Sequence, residues 1–181
     1  MFYISEVSTM VPKKYTSDLQ KTVYQTLTQL KIPFERVNTD EAISMEDCLL
    51  INEKLNMEMV KTLFLCNSKK TLFYLFITTG EKPFETKKFC DALNISRVSF
   101  VPKDLFEELL EVRIGAATVF SVLHDLDRTI QVVFDNDIVE KRYYGCSDGT
   151  NTGYMKLKTN SILTSILPYS KHKFKVIHYE P

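Results

Sequence analysis

An α+β fold with a mixed, mainly antiparallel sheet is what this chain predicts, and three observations predict it. Apolar residues recur at helical spacing in several separate stretches, as at Leu19, Val23, Leu27 and Leu30. Short runs rich in β-branched and aromatic residues stand between those stretches, some in hairpin-like pairs. Such interleaving of helices with locally paired strands is the pattern of an α+β domain. With 181 residues, 44% of them hydrophobic, the chain has enough apolar side chains to bury a core as a single domain over residues 1–181.

The elements follow in order. Ser17 with Gln20 offers a capping box for the first helix, and Pro33 closes that segment. Phe34 to Val37 reads as a short strand, and Ser44 with Asp47 opens a second helix carrying Cys48, Leu49, Ile51 and Leu55. Val60 to Cys66 and Thr71 to Thr78 are apolar runs joined by Asn67-Ser68-Lys69-Lys70, a hairpin signature. Gly80 and Pro83 break the pattern before a helix holding Phe89, Cys90 and Leu93, and a strand follows at Arg97 to Val101. Lys103 to Leu110 is helical. Beyond a glycine loop at Gly115, Ile130 to Phe134 reads as a strand, Asp135-Asn136-Asp137 as a turn and Ile138 to Tyr143 as a strand. Gly145 to Gly153 is expected to be a polar loop, Tyr154 to Lys158 a strand, Asn160 to Leu167 a helix ended by Pro168, and Phe174 to Tyr179 a final strand.

Composition narrows the function. Equal numbers of basic and acidic residues, 23 each, argue against a protein that coats nucleic acid nonspecifically, since phosphate binding scales with basic contacts. The charge is uneven, however. Lysines outnumber acids from Val60 to Ala92, and the tail from Tyr154 carries Lys156, Lys158, Lys171, Lys173 and Lys175 against Glu180 alone. Two readings stand: a local basic face that docks one RNA end, or scattered solvated lysines.

The four cysteines are scattered without a CxxC pair, the expectation for a reduced cytoplasmic protein. The N-terminal residues look like neither a secretory signal nor an anchor, and no membrane association is expected. His124, His172 and His178 are far apart, no carboxylate cluster has metal-ligand spacing, and P-loop, GxGxxG and GxSxG elements are missing. No metal or organic cofactor is expected, and DNA is not an expected partner.

Lys61 stands out because Val60-Lys61-Thr62-Leu63-Phe64-Leu65-Cys66 otherwise reads as a strand buried on both faces. An ionised amine is costly to take out of water, so it must reach solvent, a partner or a substrate. The structural alternative is a stem that snorkels to the strand end. The surrounding text, Met45-Glu46-Asp47-Cys48 and Glu58-Met59-Val60-Lys61-Thr62-Leu63-Phe64-Leu65, resembles the YbaK/ProX family of aminoacyl-tRNA deacylases, relatives of the editing insertion domain of bacterial prolyl-tRNA synthetase. The similarity runs from about Leu19 to Leu167.

The resemblance implies a barrel-like sheet surrounded by helices, and a hydrolase acting in trans on mischarged tRNA, with alanyl-tRNA of the proline type as expected substrate and prolyl-tRNA synthetase as a further partner. It puts Lys61 in the place of the family's catalytic lysine. It also puts Gly115, Ala116, Ala117 and Thr118 in the glycine loop, whose successive N–H groups could stabilise an oxyanion. That loop is usually written GxxxP, and Val119 replaces the proline here. In the third block Asn151 and Thr152 fit the family pattern, whereas Ser147 and Asp148 stand where His and Pro are expected. Met45, Leu49, Asp135, Ser147, Asn151 and Thr152 are the candidate pocket residues. Core packing accounts for Met45 and Leu49 almost as well, and Asp135 equally fits a turn former. The departures keep two alternatives open: a member that binds aminoacyl-tRNA or a synthetase without cleavage, and a deacylase for cysteinyl- or seryl-tRNA.

Overall fold

The computed structural model describes residues 1–181. Helix α1, Asp18–Gln29, starts where the Ser17 side chain accepts the Gln20 N–H, and its Leu19, Val23 and Leu27 point into the core. The Gln20 carboxamide does not close the expected box. It accepts the Thr16 N–H instead, 2.8 Å away. Helix α2, Met45–Leu55, does carry the full reciprocal box between Ser44 and Asp47. The N–H groups of Ile43 and Ser44 hold the Asp47 carboxyl below the usual carboxylate range.

Eight strands form two sheets: β1 (Glu35–Asn38), β2 (Val60–Asn67), β3 (Phe73–Thr79), β4 (Val98–Phe100), β5 (Ile130–Asp135), β6 (Tyr143–Ser147), β7 (Gly153–Lys158) and β8 (Phe174–Ile177). One sheet has the order β1-β7-β6 and the other β4-β2-β3-β5-β8, with parallel pairing only at β3–β5 and β5–β8. The sheets do not close into the barrel that the resemblance implied. They meet at a single parallel bridge, Met59 with Gly145, and β4 pairs with β2 only over Leu65–Asn67. The edge of β2 from Val60 to Leu63 therefore has no strand beside it, and that opening locates the site.

The larger core draws on both sheets, with Phe64, Leu75 and Val132 from one and Tyr144, Met155 and Leu157 from the other. Helices α3 (Thr86–Leu93) and α4 (Lys103–Leu110) follow β3 and β4. Under α3, on the other face of the five-stranded sheet, Phe76 packs against Phe89 and Tyr179 with ring centroids 4.9 and 5.1 Å apart. Burying each such ring contributes about 2–3 kcal/mol.

Three local expectations give way. Ile138 to Tyr143 is not one strand: Asp135 accepts the Asp137 N–H and caps a short helix, α5 (Asn136–Val139), which buries Ile138, and β6 begins at Tyr143. The stretch from Gly145 to Gly153 is not all loop, because Gly145, Cys146 and Ser147 pair with Lys156, Met155 and Tyr154. Pro168 does not end the terminal helix, which runs from Thr159 through a π-helical stretch, Ile162–Ile166, to Tyr169. The wide π-helical turn just before Pro168 makes room for its ring, which lacks an N–H to donate to the preceding turn.

Candidate functional site

The uncovered edge of β2 borders two adjoining cavities that share Met59, Val60 and Lys61. The smaller, about 390 Å³, is mainly apolar. Lys61, Gly115, Ala117, Cys146, Ser147 and Tyr154 line it, among others. The larger, about 800 Å³, lies between α2 and the Gly80–Pro83 loop and includes Met45, Cys48, Leu49, Lys82 and Lys141. Lys61, the glycine loop and Ser147 are thus brought to one concavity, and Met45 and Leu49 to the neighbouring one.

Lys61 is half-buried on β2, and its Nζ donates to the main-chain carbonyl of Lys82. Lys82 is itself fixed: its Nζ is 2.7 Å from Asp135 Oδ2, 2.8 Å from Asp137 Oδ2 and 2.7 Å from the Tyr179 carbonyl. Burial works against the Lys82 charge, but the bonds to Asp135 and Asp137 prevail and lift its pKa above the ordinary lysine value. Asp135 also accepts the Thr78 hydroxyl at 2.6 Å, and Thr78 is the cross-strand partner of Lys61. A closed circuit of contacts therefore runs from Lys61 through Thr78, Asp135 and Lys82 back to the Lys61 amine.

The glycine loop lines the smaller cavity together with β2's open edge. Ala116 donates its N–H to the Arg113 carbonyl at 3.0 Å, whereas the N–H groups of Gly115, Ala117 and Thr118 have no partner within the protein. Gly115 has φ of +95°, a conformation that strains any L-residue. Without the family's proline, the loop is pinned by Thr118, which is fully buried and donates its hydroxyl to the Ser147 carbonyl at 3.0 Å. Val119 is buried and begins a short 3₁₀ helix, Val119–Leu123.

Ser147 organises its own loop: its hydroxyl donates to the Thr150 carbonyl and accepts the Gly149 N–H. The adjacent Asp148 is buried and accepts from Tyr24 at 2.8 Å, Gln20 at 3.0 Å and the Thr150 hydroxyl at 2.7 Å. Burial and that carboxylate raise Tyr24 well above the usual phenol range. Burial, and then the charge of Asp148, push the Cys146 thiol up too, so it is not a thiolate nucleophile at neutral pH. Tyr154, whose hydroxyl donates to the Asn151 carbonyl, is pushed up to about 12, chiefly by burial.

Other candidate residues stand apart from Lys61. Asp135 is 1% exposed, behind Lys82, and faces a small concavity with the C-terminal residues. Asn151 and Thr152 line a separate polar groove of about 560 Å³ with Ser17, Glu41 and Arg113. Ala116 and Thr118 support the loop from inside rather than line the cavity. Lys82 is a site residue that the sequence did not announce, since Gly80-Glu81-Lys82-Pro83 carries only the signature of a chain break. No helix is long and apolar enough to cross a membrane, and no group of three or more His, Cys, Asp or Glu side chains could hold a metal ion.

Comparison with known proteins agrees with this architecture. The model of the family described as "Aminoacyl-tRNA editing domain" matches residues 39–164, more than half of the chain. The chain is 26% identical over 164 residues to the prolyl-tRNA editing protein ProX of Acetoanaerobium sticklandii, covering 88% of this chain and 97% of that protein. It is 22% identical to prolyl-tRNA synthetase associated domain-containing protein 1 of Danio rerio, covering 90% and 89% of the two chains. A solved structure described as a candidate trans-editing enzyme for prolyl tRNA synthetase superposes with a TM-score of 0.61 at 13% identity, over 92% of this chain and 100% of that one, a likeness of fold. By sequence match and by architecture, then, this chain belongs to the aminoacyl-tRNA editing domain family, the YbaK/ProX group.

Proposed function

We propose that the protein is a deacylase that acts in trans and removes alanine from mischarged proline tRNA. The single observation that carries the reading is the convergence of Lys61, Ser147, and Gly115 and Ala117 with their unpartnered amides on one cavity of about 390 Å³. The physical need for such an enzyme is general: a synthetase site that fits proline rejects a smaller side chain by only about 1–3 kcal/mol per missing methylene. A second pocket that admits alanine and excludes proline completes the sieve.

In this reading Lys61 orients the ester and offsets the charge that develops on it. Water adds to the ester carbonyl, and the amides of Gly115 and Ala117, the two loop residues with unpartnered N–H groups that line the cavity, are the donors available to the resulting oxyanion. The bond to the ribose oxygen then breaks, the ribose oxygen takes a proton, and free alanine and tRNA leave. The whole chain, residues 1–181, serves as one deacylase domain, and prolyl-tRNA synthetase is the source of the mischarged tRNA.

The test is hydrolysis of alanyl-tRNA of the proline type, alongside cysteinyl- and seryl-tRNA. Release of alanine above background by the native protein, abolished in Lys61→Ala, is the expected result. No release from any of the three, with Lys61→Ala indistinguishable from native, overturns it. One contact favours a second reading, a module that binds without cleaving: the Lys61 amine already donates to the Lys82 carbonyl. Tight retention of intact alanyl-tRNA would establish that alternative.

A further inference from the structure

Far from the Lys61 end of the five-stranded sheet lies a groove of about 360 Å³ whose charged lining is entirely cationic except for the buried His172: Arg128, Lys171, Lys173 and Lys175, with no carboxylate. None of the four cations forms an ion pair, so their charges face one another without a carboxylate between them. Like charges left together in this way repel one another, and an anionic partner relieves the repulsion.

The groove is held in shape from inside. Arg128 closes the turn leading into β5, and Lys171 the turn leading into the parallel neighbour β8, both in the left-handed region at φ of +56° and +59°. A buried pair ties the two turns together: His172 Nε2 lies 2.8 Å from Asp125 Oδ2, with side-chain exposures of 1% and 7%. Asp125 also accepts the N–H groups of Thr129 and Ile130 and so fixes the first turn to its own strand. Scattered surface lysines would need no such brace.

The orientation of the groove follows from strand alternation. On β8, Lys175 falls on the same side as Ile177, which packs in the core beneath α3, while Phe174 packs on the opposite side; Lys173 immediately precedes the strand and lines the same groove. On β2, Lys61 falls on the same side as Leu63 and Leu65, which belong to that same core beneath α3. Lys61 and Lys175 therefore project from one face of the sheet. Three strand spacings and two residues of offset separate them, roughly 16 Å. Helix α3 lies on that face and carries exposed Lys87 and Lys88.

We infer that the Arg128–Lys171–Lys173–Lys175 groove is a docking site for the phosphate backbone of RNA, placed to hold the body of a substrate whose 3′ end reaches Lys61. The choice of RNA over another polyanion rests on the proposed deacylase reading. The cationic lining, the buried brace beneath it and the common face carry the site itself. Each phosphate contact releases counterions, so binding through this groove is steeply salt-dependent.

The test compares the native protein with a variant carrying Arg128→Gln, Lys171→Gln, Lys173→Gln and Lys175→Gln. A control variant loses equal charge from the exposed Lys13, Lys14, Lys21 and Lys31, each changed to Gln. Thermal unfolding checks that both remain folded. Binding of uncharged proline tRNA is read across a salt series, because this measurement does not require deacylation. The groove variant is expected to bind at least 10-fold more weakly, with the slope of log K against log salt shallower by about 3. In the deacylation assay its KM for alanyl-tRNA rises while kcat is kept, and hydrolysis of a short alanylated 3′-terminal oligonucleotide is unchanged.

Identical affinity and slope in native and groove variants overturn the inference, whatever the deacylation assay gives. Equal weakening by the control variant overturns it as well, as does a groove effect seen only with phosphatidylserine vesicles. Groove-dependent tRNA binding in a protein that hydrolyses no aminoacyl-tRNA supports the groove while removing the deacylase reading.

Discussion

Lys82 Nζ lies 2.7 Å from Asp135 Oδ2, and the carbonyl of the same lysine receives the Lys61 amine. A buried carboxylate thus anchors the loop that holds the Lys61 amine. Asp135→Ala is expected to lower stability by about 3 kcal/mol, the low end for breaking a buried ion pair, because Asp137 stays within reach of Lys82. The milder Thr78→Val removes one hydroxyl from Asp135 and leaves the fold intact. It is expected to lower kcat for deacylation on the order of 10-fold with KM unchanged, since misplacing a reactive group costs rate rather than binding. Steady-state kinetics with purified alanyl-tRNA reads both numbers, and a change confined to KM would contradict positioning by this circuit.

Asp148 stands where the family carries a proline, and the structure gives it a task. Its carboxylate accepts from Tyr24, Gln20 and Thr150, and a Cβ on Gly153 would fall 2.2 Å from its Oδ2. Asp148→Pro is expected to leave two buried donors unpaired, at about 1–3 kcal/mol each. Gly153→Ala should be destabilising with Asp148 present and better tolerated with Asp148→Gly. Urea unfolding of the four proteins in this cycle measures the coupling, and additive effects would show that the two positions do not meet.

Gly145 and Gly80 give a contrast within one site. A Cβ on Gly145 would meet Met57 Sδ at 2.6 Å and the Glu58 carbonyl at 2.8 Å, whereas one on Gly80 meets only the Met59 carbonyl at an ordinary 3.4 Å. Gly145→Ala is expected to cost about 1–3 kcal/mol and to loosen the Met59 bridge between the sheets. Gly80→Ala is expected to stay within about 0.5 kcal/mol of native. Chemical denaturation of the two variants ranks them.

Acid should weaken the brace between the turns before β5 and β8. Burial works against ionisation of Asp125, but the bonds from His172, Ile130 and Thr129 prevail and hold its carboxyl below the usual carboxylate range. A carboxyl lowered in the folded state adds stability above its unfolded pKa near ~3.9 and forfeits it as pH falls through the lower folded value. Unfolding free energy should therefore fall below about pH 4. Asp125→Asn should be less stable at pH 7 by about 1–3 kcal/mol and show a shallower acid decline. Parallel pH curves for the two proteins would remove this role.

Much of the fold could be read from local chemistry. Ser17 and Ser44 mark helix starts because a cap acts within four residues, and Asn67-Ser68-Lys69-Lys70 marks the β2–β3 hairpin for the same reason. Ile138 misled because a buried residue beside a turn fits a one-turn helix as well as a strand. The stretch around Ser147 and Asp148 misled because its polar side chains satisfy one another and Tyr24 inside the protein, a pairing across more than 120 positions that no local pattern reports. Of the site, Lys61 was legible as a charge in an apolar run. Lys82 was not, since what matters there is a carbonyl, and every residue has one.

That last point bears on how such a protein can drift. The acceptor for the Lys61 amine belongs to the polypeptide itself, so no amino-acid exchange at position 82 deletes it. With Lys61 kept, natural variation can erode the contact only by shifting the path of the chain. A demand on the position of the Lys61 amine would then be felt also at Asp135 and Thr78, which fix the chain from behind the cavity.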